Sequence, residues 1–312
     1  MSKLLKDRGL LLRLGGTLLA IILIVVLLRE GGWNEVVAAI RQISWTTILL
    51  SLLLVLLSRL FVATRWFILL RSGNVEMPLS RSVALTFTGL FANNFLPTTI
   101  GGDVVRLAGA MQMGYDRAVC LASIAADRLM GLIGNAFTLP FGLIPLLQSA
   151  GPGAARSLAL AGLWSRFWRF VVRTVQTFAI WFHKPVALLG ALVCTWGHML
   201  CTVLTMYILV GALGVHTDFW LIAGLWSVTY YVTLVPISIN GYGVQELSLT
   251  YLFSSIAGLS PAASLTVAVM IRALYVVISL AGAFYLPGIL AAMDRSRDAQ
   301  QTEKEETLST TG

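Results

Sequence analysis

Asn93-Asn94-Phe95-Leu96-Pro97-Thr98-Thr99-Ile100-Gly101-Gly102-Asp103 breaks an apolar run where a membrane helix ought to continue. Before it, Ser82–Leu96 is apolar but only 15 residues long, and Val104–Met113 follows as a second short apolar piece. Proline lacks an amide donor and glycine weakens a helix, so the chain is expected to unwind here. Within lipid, an unwound stretch survives only where protein or a polar cavity covers it. A second stretch repeats the pattern: Pro236, Asn240, Gly241, Gly243 and Glu246 interrupt the apolar run that begins at Phe219.

Outward from these breaks, the composition is that of a membrane protein. Of the 312 residues, 57% are hydrophobic and only 12% charged, about half the share usual in soluble proteins. Mean hydropathy is +0.84. Too little polar surface remains to coat a soluble globule, which excludes a cytosolic enzyme, a disordered chain and a secreted disulfide scaffold. Cys120, Cys194 and Cys201 all fall within apolar runs and read as small buried hydrophobes. The net charge of +8 sits in clusters beside apolar segments. It reads as the positive-inside signal and contact with anionic lipid, not as a nucleic-acid surface.

Apolar runs at 10–28, 45–70, 118–141, 186–211, 219–235 and 262–290 read as spans. If each broken segment also crosses, the fold class is an all-α polytopic membrane protein of about eight crossings, two of them discontinuous helices. A single transmembrane domain then covers 1–293, and the polar tail 294–312 reads as disordered and cytoplasmic. Within the connection 148–184, Trp164, Phe167, Trp168, Val171, Val175, Phe178 and Phe182 share one helical face, and Arg166, Arg169 and Arg173 the other. That pattern predicts an interfacial amphipathic helix over 164–182.

The two breaks also suggest an internal repeat. Gly114 lies fourteen residues before Arg128, and Gly258 fourteen before Arg272. Each unit reads as broken segment, acid, short helix, glycine turn, and a span with one buried arginine. Crossing breaks make the two units parallel copies, both termini cytoplasmic, with the arginine-rich loops 65–81 and 148–184 inside. Re-entrant breaks would instead put the second of these loops outside, which the charge rule disfavours.

Seven ionisable residues sit where lipid is expected: Arg59, Asp103, Arg106, Asp127, Arg128, Glu246 and Arg272. Each costs about 2.5–3.5 kcal/mol at a helix centre, so pairing inside the bundle is expected. Neighbours on a helix do not share a face, so Asp127 and Arg128 need different partners. Buried pairs can simply fix helix register. Asp103 and Glu246 each follow glycine near a helix start, where an acid caps free amides and offsets the dipole. The same geometry suits a lipid headgroup site built from Arg59, Asn94, Gly101, Gly102, Asp103, Arg106, Asp127, Arg128, Asn240, Gly241, Gly243, Glu246 and Arg272. There, an arginine would exchange an internal carboxylate for a passing phosphate. His198 reads as a satisfied core histidine, and Asn135 as a partner for Arg128. No HExxH, P-loop, GxGxxG after a strand or GxSxG occurs. No cofactor or metal is expected, and no ATP site to drive transport.

Arg65-Trp66 with Leu69-Leu70, then Asn94-Phe95-Leu96-Pro97 with Gly101-Gly102-Asp103 and Arg106, then Asp127-Arg128-Leu129, form one set of motifs. Ala212-Leu213-Gly214-Val215, Pro236-Ile237-Ser238, Asn240-Gly241-Tyr242-Gly243-Val244, Glu246 and Arg272 form the other. Together they resemble the lysylphosphatidylglycerol synthase transmembrane, or flippase-like, family over about 45–290, most of the chain. The resemblance implies an integral protein of a bacterial-type inner membrane, linked to moving or modifying lipids. The family's full-length synthases add a soluble aminoacyltransferase domain. Here only a short polar tail follows, so lysyl transfer is not expected. The expected function is translocation of an anionic phospholipid or lipid-linked phosphate. The alternatives are a membrane transferase using Asp103 or Glu246 as base, or a non-catalytic partner of a separate lipid-modifying enzyme.

Overall fold

The computed structural model describes Leu18 and residues 33–96, 101–149, 184–235 and 238–285. The expected span 10–28 apart from Leu18, the amphipathic helix 164–182 and the tail 294–312 lie outside the described residues, as do Pro97 and Pro236. The described chain is helical: α1 (Trp33–Gln42), α2 (Trp45–Ser72), α3 (Leu79–Asn93), α4 (Gly101–Gln112), α5 (Arg117–Ser149), α6 (Pro185–Ala212), α7 (Phe219–Thr233), α8 (Val244–Ser255) and α9 (Pro261–Ser279). Short 3-10 turns occupy Ile239–Gly241 and Leu280–Phe284. Among the described residues, α2, α5, α6 and α9 with its 3-10 extension are long and apolar enough to cross a membrane. This is an all-α membrane protein.

The two broken segments take a path different from the expected one. Each folds back on itself. Gly89 of α3 packs against α4: a methyl placed there would lie 2.7 Å from the Gly102 carbonyl oxygen and 3.0 Å from Arg106 Cγ. The Gly102 amide donates to Asn93 Oδ1 at 2.6 Å. Beyond α4, the Tyr115 hydroxyl returns to the Glu76 carbonyl at the base of α3. The second hairpin closes in the same manner, the Thr217 hydroxyl before α7 donating to the Ala257 carbonyl after α8 at 3.1 Å. Thus α7, an apolar helix of 15 residues, is one arm of a hairpin. Glycines without side chains let the arms of the first hairpin approach this closely.

The hairpins enter from opposite ends. Along antiparallel α2 and α6, Ser58 meets His198, Phe61 meets Gly197, and Ile68 meets Gly190. Lys184 Nζ donates to the Ser72 carbonyl and to Asn74 Oδ1, which puts the start of α6 at the end of α2 and the base of the first hairpin. Antiparallel α5 and α7 pair Leu132 with Tyr231, Thr138 with Ser227, and Phe141 with Trp220. The far end of α5 therefore lies at the base of the second hairpin. The units α2–α5 and α6–α9 form an inverted repeat, not parallel copies. Lys184 lies at the end of the bundle that carries the loop 65–81, and Ser149, at the other side of the arginine-rich connection, lies at the opposite end.

The repeat extends to the packing between units. Gly142 of α5 lies backbone to backbone against Gly224 of α7, and Gly282, just beyond α9, against Phe87 of α3. Each unit's last span thus clasps the other unit's hairpin. With lipid outside, helices gain little from hydrophobic burial against one another, so such close small-residue contacts and interhelical hydrogen bonds carry the association.

Candidate functional site

The hairpin tips meet inside the bundle. Tyr242, beyond the second break, donates to Asn94 Oδ1 at 3.2 Å, and Asn94 Nδ2 donates to Ser279 Oγ at 2.8 Å. Between the tips lies a cavity of about 290 Å³. Arg59, Arg128 and Arg272 line it, together with Asn93, Asn94, Asn135, Asn240 and Gln245. Of the predicted site residues, Arg59, Asn94, Arg128, Asn240, Gly241 and Arg272 reach this cavity. The others form its supports.

Those supports are two ion-pair clusters at corresponding places in the repeat. Asp103 is the third residue of α4 and Glu246 the third residue of α8. Asp103 accepts from Arg128 on α5 and from Arg106 at 3.1 Å. Glu246 accepts from Arg272 on α9 at 2.5 Å. Its second oxygen accepts the Gly243 amide at 2.7 Å, so the acid also caps its helix. The left-handed φ of +78° at Gly243 and +71° at Gly241 shapes this turn. Gly101 and Gly102 are buried at the start of α4, where Asn93 supplies the cap.

The first cluster runs deeper than the second. Asp127, 3% exposed, accepts from Arg65 at 2.7 Å and from Arg106 at 3.1 Å. Arg65 also donates to Thr195 at 3.1 Å, and Arg106 stacks 4.2 Å from the centre of the Trp66 ring. Adjacent residues of α5 thus face different ways, as expected: Asp127 into a buried pair, Arg128 to the cavity. The sequence reading missed Arg65, since a cation near the end of an apolar run reads as a headgroup contact.

Arg59 is held differently. Its guanidinium lies 4.0 Å from the centre of the Tyr275 ring and makes no ion pair among the described residues. Arg272 stacks on Tyr242 at 4.6 Å and donates to Gln245 Oε1 at 3.1 Å. His198 is the core histidine expected, Nδ1 bonded to the Ser58 hydroxyl at 2.6 Å, and it also lines the cavity. Asn135 bonds the Gly131 carbonyl and accepts from Ser227. Gln245, unremarked in the sequence, is also part of the lining. Its place beside Glu246 at a helix start was the available signal.

An apolar groove of about 520 Å³ is lined by residues including Phe61, Phe137, Trp196, Leu200 and Trp220. Gly134 and Gly197 face the groove while their chain neighbours Asn135 and His198 face the cavity.

Five arginines (59, 65, 106, 128 and 272) and three acids (103, 127 and 246) make up these clusters, an excess of two positive charges. Such groups are costly within a membrane and mark substrate paths or structural pairs. The family model described as the lysylphosphatidylglycerol synthase TM region matches residues 13–282. The chain belongs to that family. No curated protein matches it. Membership fits the motif sets around Asp103 and Glu246, which occupy corresponding places in the two inverted units. It ties this membrane protein to lipid metabolism without specifying a reaction.

Proposed function

We propose that the protein translocates an anionic phospholipid or lipid-linked phosphate, with the phosphate bound in the cavity by Arg59, Arg128 and Arg272. The observation that carries this reading is the convergence of three arginines between the tips of opposed hairpins. An arginine fork matches phosphate oxygens and forms charge-assisted hydrogen bonds. Broken helices of paired repeats, meeting at midplane, are a recurrent setting for transported ligands. The cavity volume of about 290 Å³ suits a headgroup. As a phosphate enters, Arg128 and Arg272 exchange Asp103 and Glu246 for it, and recover them on release. A transferase reading needs a free base facing the ligand. Both carboxylates are instead engaged behind the cavity wall, which favours translocation.

The test is headgroup-resolved lipid flipping in proteoliposomes. Wild-type protein is expected to accelerate flipping of phosphatidylglycerol over protein-free vesicles. Arg59→Gln, Arg128→Gln and Arg272→Gln are each expected to slow it about tenfold or more, the worth of one charged hydrogen bond. Wild-type rates in all three folded variants would refute the phosphate role.

A further inference from the structure

The two ion-pair clusters differ in what each acid keeps when an arginine leaves it. Asp103 is held twice, by Arg128 and by Arg106 at 3.1 Å. Arg106 stands three residues after Asp103, about one helical turn on; three residues after Glu246 stands Leu249, buried and apolar. Among the described residues, Glu246 therefore has a single ion pair, to Arg272. Helices α9 and α7 are the main neighbours of α8. Their titratable side chains are Arg272 and Tyr275 on α9, and Tyr230 and Tyr231 on α7. Tyr242, just before α8, stacks on Arg272, and Tyr275 engages Arg59; Tyr251, on α8 itself, is exposed. A tyrosine hydroxyl is ordinarily neutral near pH 7, so among these groups Arg272 is the charge that balances Glu246. The Glu246 side chain is 7% exposed, and its second oxygen accepts the neutral Gly243 amide.

A carboxylate so buried and without a counter-charge is costly, and taking up a proton removes the cost. A phosphate that draws Arg272 away creates that condition at Glu246. It does not do so at Asp103, which keeps Arg106. We propose that the protein couples each phosphate it carries to one proton, taken up from water by Glu246 as Arg272 turns to the ligand and given back as Arg272 returns. This rests on the exchange of arginine partners in the proposed function. The charges balance. A phosphodiester brings one negative charge and the proton one positive, so the loaded clusters keep the excess of two positive charges that they have when empty. Protonated Glu246 retains an oxygen that accepts the Gly243 amide, so the helix cap survives the change. Lipid and proton then cross together, and a proton gradient drives the lipid in the direction in which protons run.

The experiment is titration calorimetry of the full-length protein in detergent with a short-chain, ether-linked phosphatidylglycerol, whose own charge does not change near neutral pH. Runs at one pH in two buffers of different ionisation heat count the protons exchanged. Wild type is expected to take up about one proton per lipid bound, and its affinity to fall by up to about tenfold for each unit rise in pH, as linkage requires. Glu246→Gln keeps an acceptor for the Gly243 amide and cannot take up a proton. It is expected to bind the lipid with no uptake and with an affinity independent of pH. If that variant does not fold, infrared difference spectra of the wild type serve. Adding the lipid is expected to raise a protonated-carboxyl band, in a region that a lipid without ester carbonyls leaves clear. Binding by the wild type without proton uptake overturns the coupling while leaving a phosphate site standing. Uptake that persists in folded Glu246→Gln, or uptake with no carboxyl band, places the proton on another group, such as His198 in the cavity wall, and overturns the proposal. Binding of no lipid at any pH overturns the phosphate site itself, and the coupling with it.

Discussion

Asp127 and Arg128 are chain neighbours with opposite duties, and substitution should separate them. Asp127→Ala leaves Arg65 and Arg106, both buried, without their shared carboxylate. Arg65 keeps Thr195 and Arg106 keeps Asp103, so neither is wholly stranded. Removing one partner of a buried pair costs about 3–5 kcal/mol, and this one serves two arginines. Arg128 has a side chain 43% exposed, and its pairing with Asp103 is worth at most about 1 kcal/mol after solvent screening. We therefore expect Asp127→Ala to destabilise the protein by at least about 2 kcal/mol more than Arg128→Gln. The assay is unfolding of purified protein as SDS replaces mild detergent, followed by circular dichroism. Lipid flipping should show the reverse order, with Arg128→Gln the more damaging among folded molecules. A triple change, Arg65→Met, Arg106→Met and Asp127→Leu, should recover stability, since apolar replacement of a buried ionic triad is commonly neutral or better. Equal unfolding free energies for Asp127→Ala and Arg128→Gln would refute the division between support and binding site.

Further expectations concern the repeat. Single cysteines at Asn74, Tyr115 and Lys184 should label from one side of the membrane and those at Thr217 and Gly258 from the other; labelling of Tyr115 and Asn74 from opposite sides would rule out the first hairpin. The native Cys120, Cys194 and Cys201 are buried and should stay unmodified under an impermeant maleimide, leaving the background clean. Gly142→Val and Gly282→Val each drive a side chain into facing backbone and should lower stability by about 1–3 kcal/mol in the same unfolding assay. Glu246→Gln keeps the shape of the cap but weakens the hold on Arg272; it should slow flipping while costing less stability than Asp127→Ala.

Much of this site was legible before folding was considered. Proline, glycine and an acid in order announced both breaks, because each residue acts locally on backbone conformation. The cost of charge in lipid announced that Asp127, Arg128 and Arg272 would find ionic partners. Direction was not legible. Helical periodicity is the same whether the chain continues past Gly101 or turns back, and only the contact of Gly89 with Gly102 decides it. The charge rule could not supply it, since it treats as one loop a connection whose ends, Ser149 and Lys184, lie at opposite ends of the bundle. Arg65 and Gln245 escaped for a related reason. Each gains its role from a partner on another helix, Asp127 for the one and Arg272 for the other.

Inversion of the two units has a consequence for energetics. A carrier with equivalent halves can face either leaflet by letting the halves trade conformations, and the two orientations then have equal free energy. Here the halves are not equivalent: Ile271 stands before Arg272 where Asp127 stands before Arg128. The first half alone carries the Arg65–Asp127–Arg106 clasp. On the translocation reading, equal free energy is thereby lifted, and the empty protein is expected to favour one orientation, with Asp127→Ala shifting the balance.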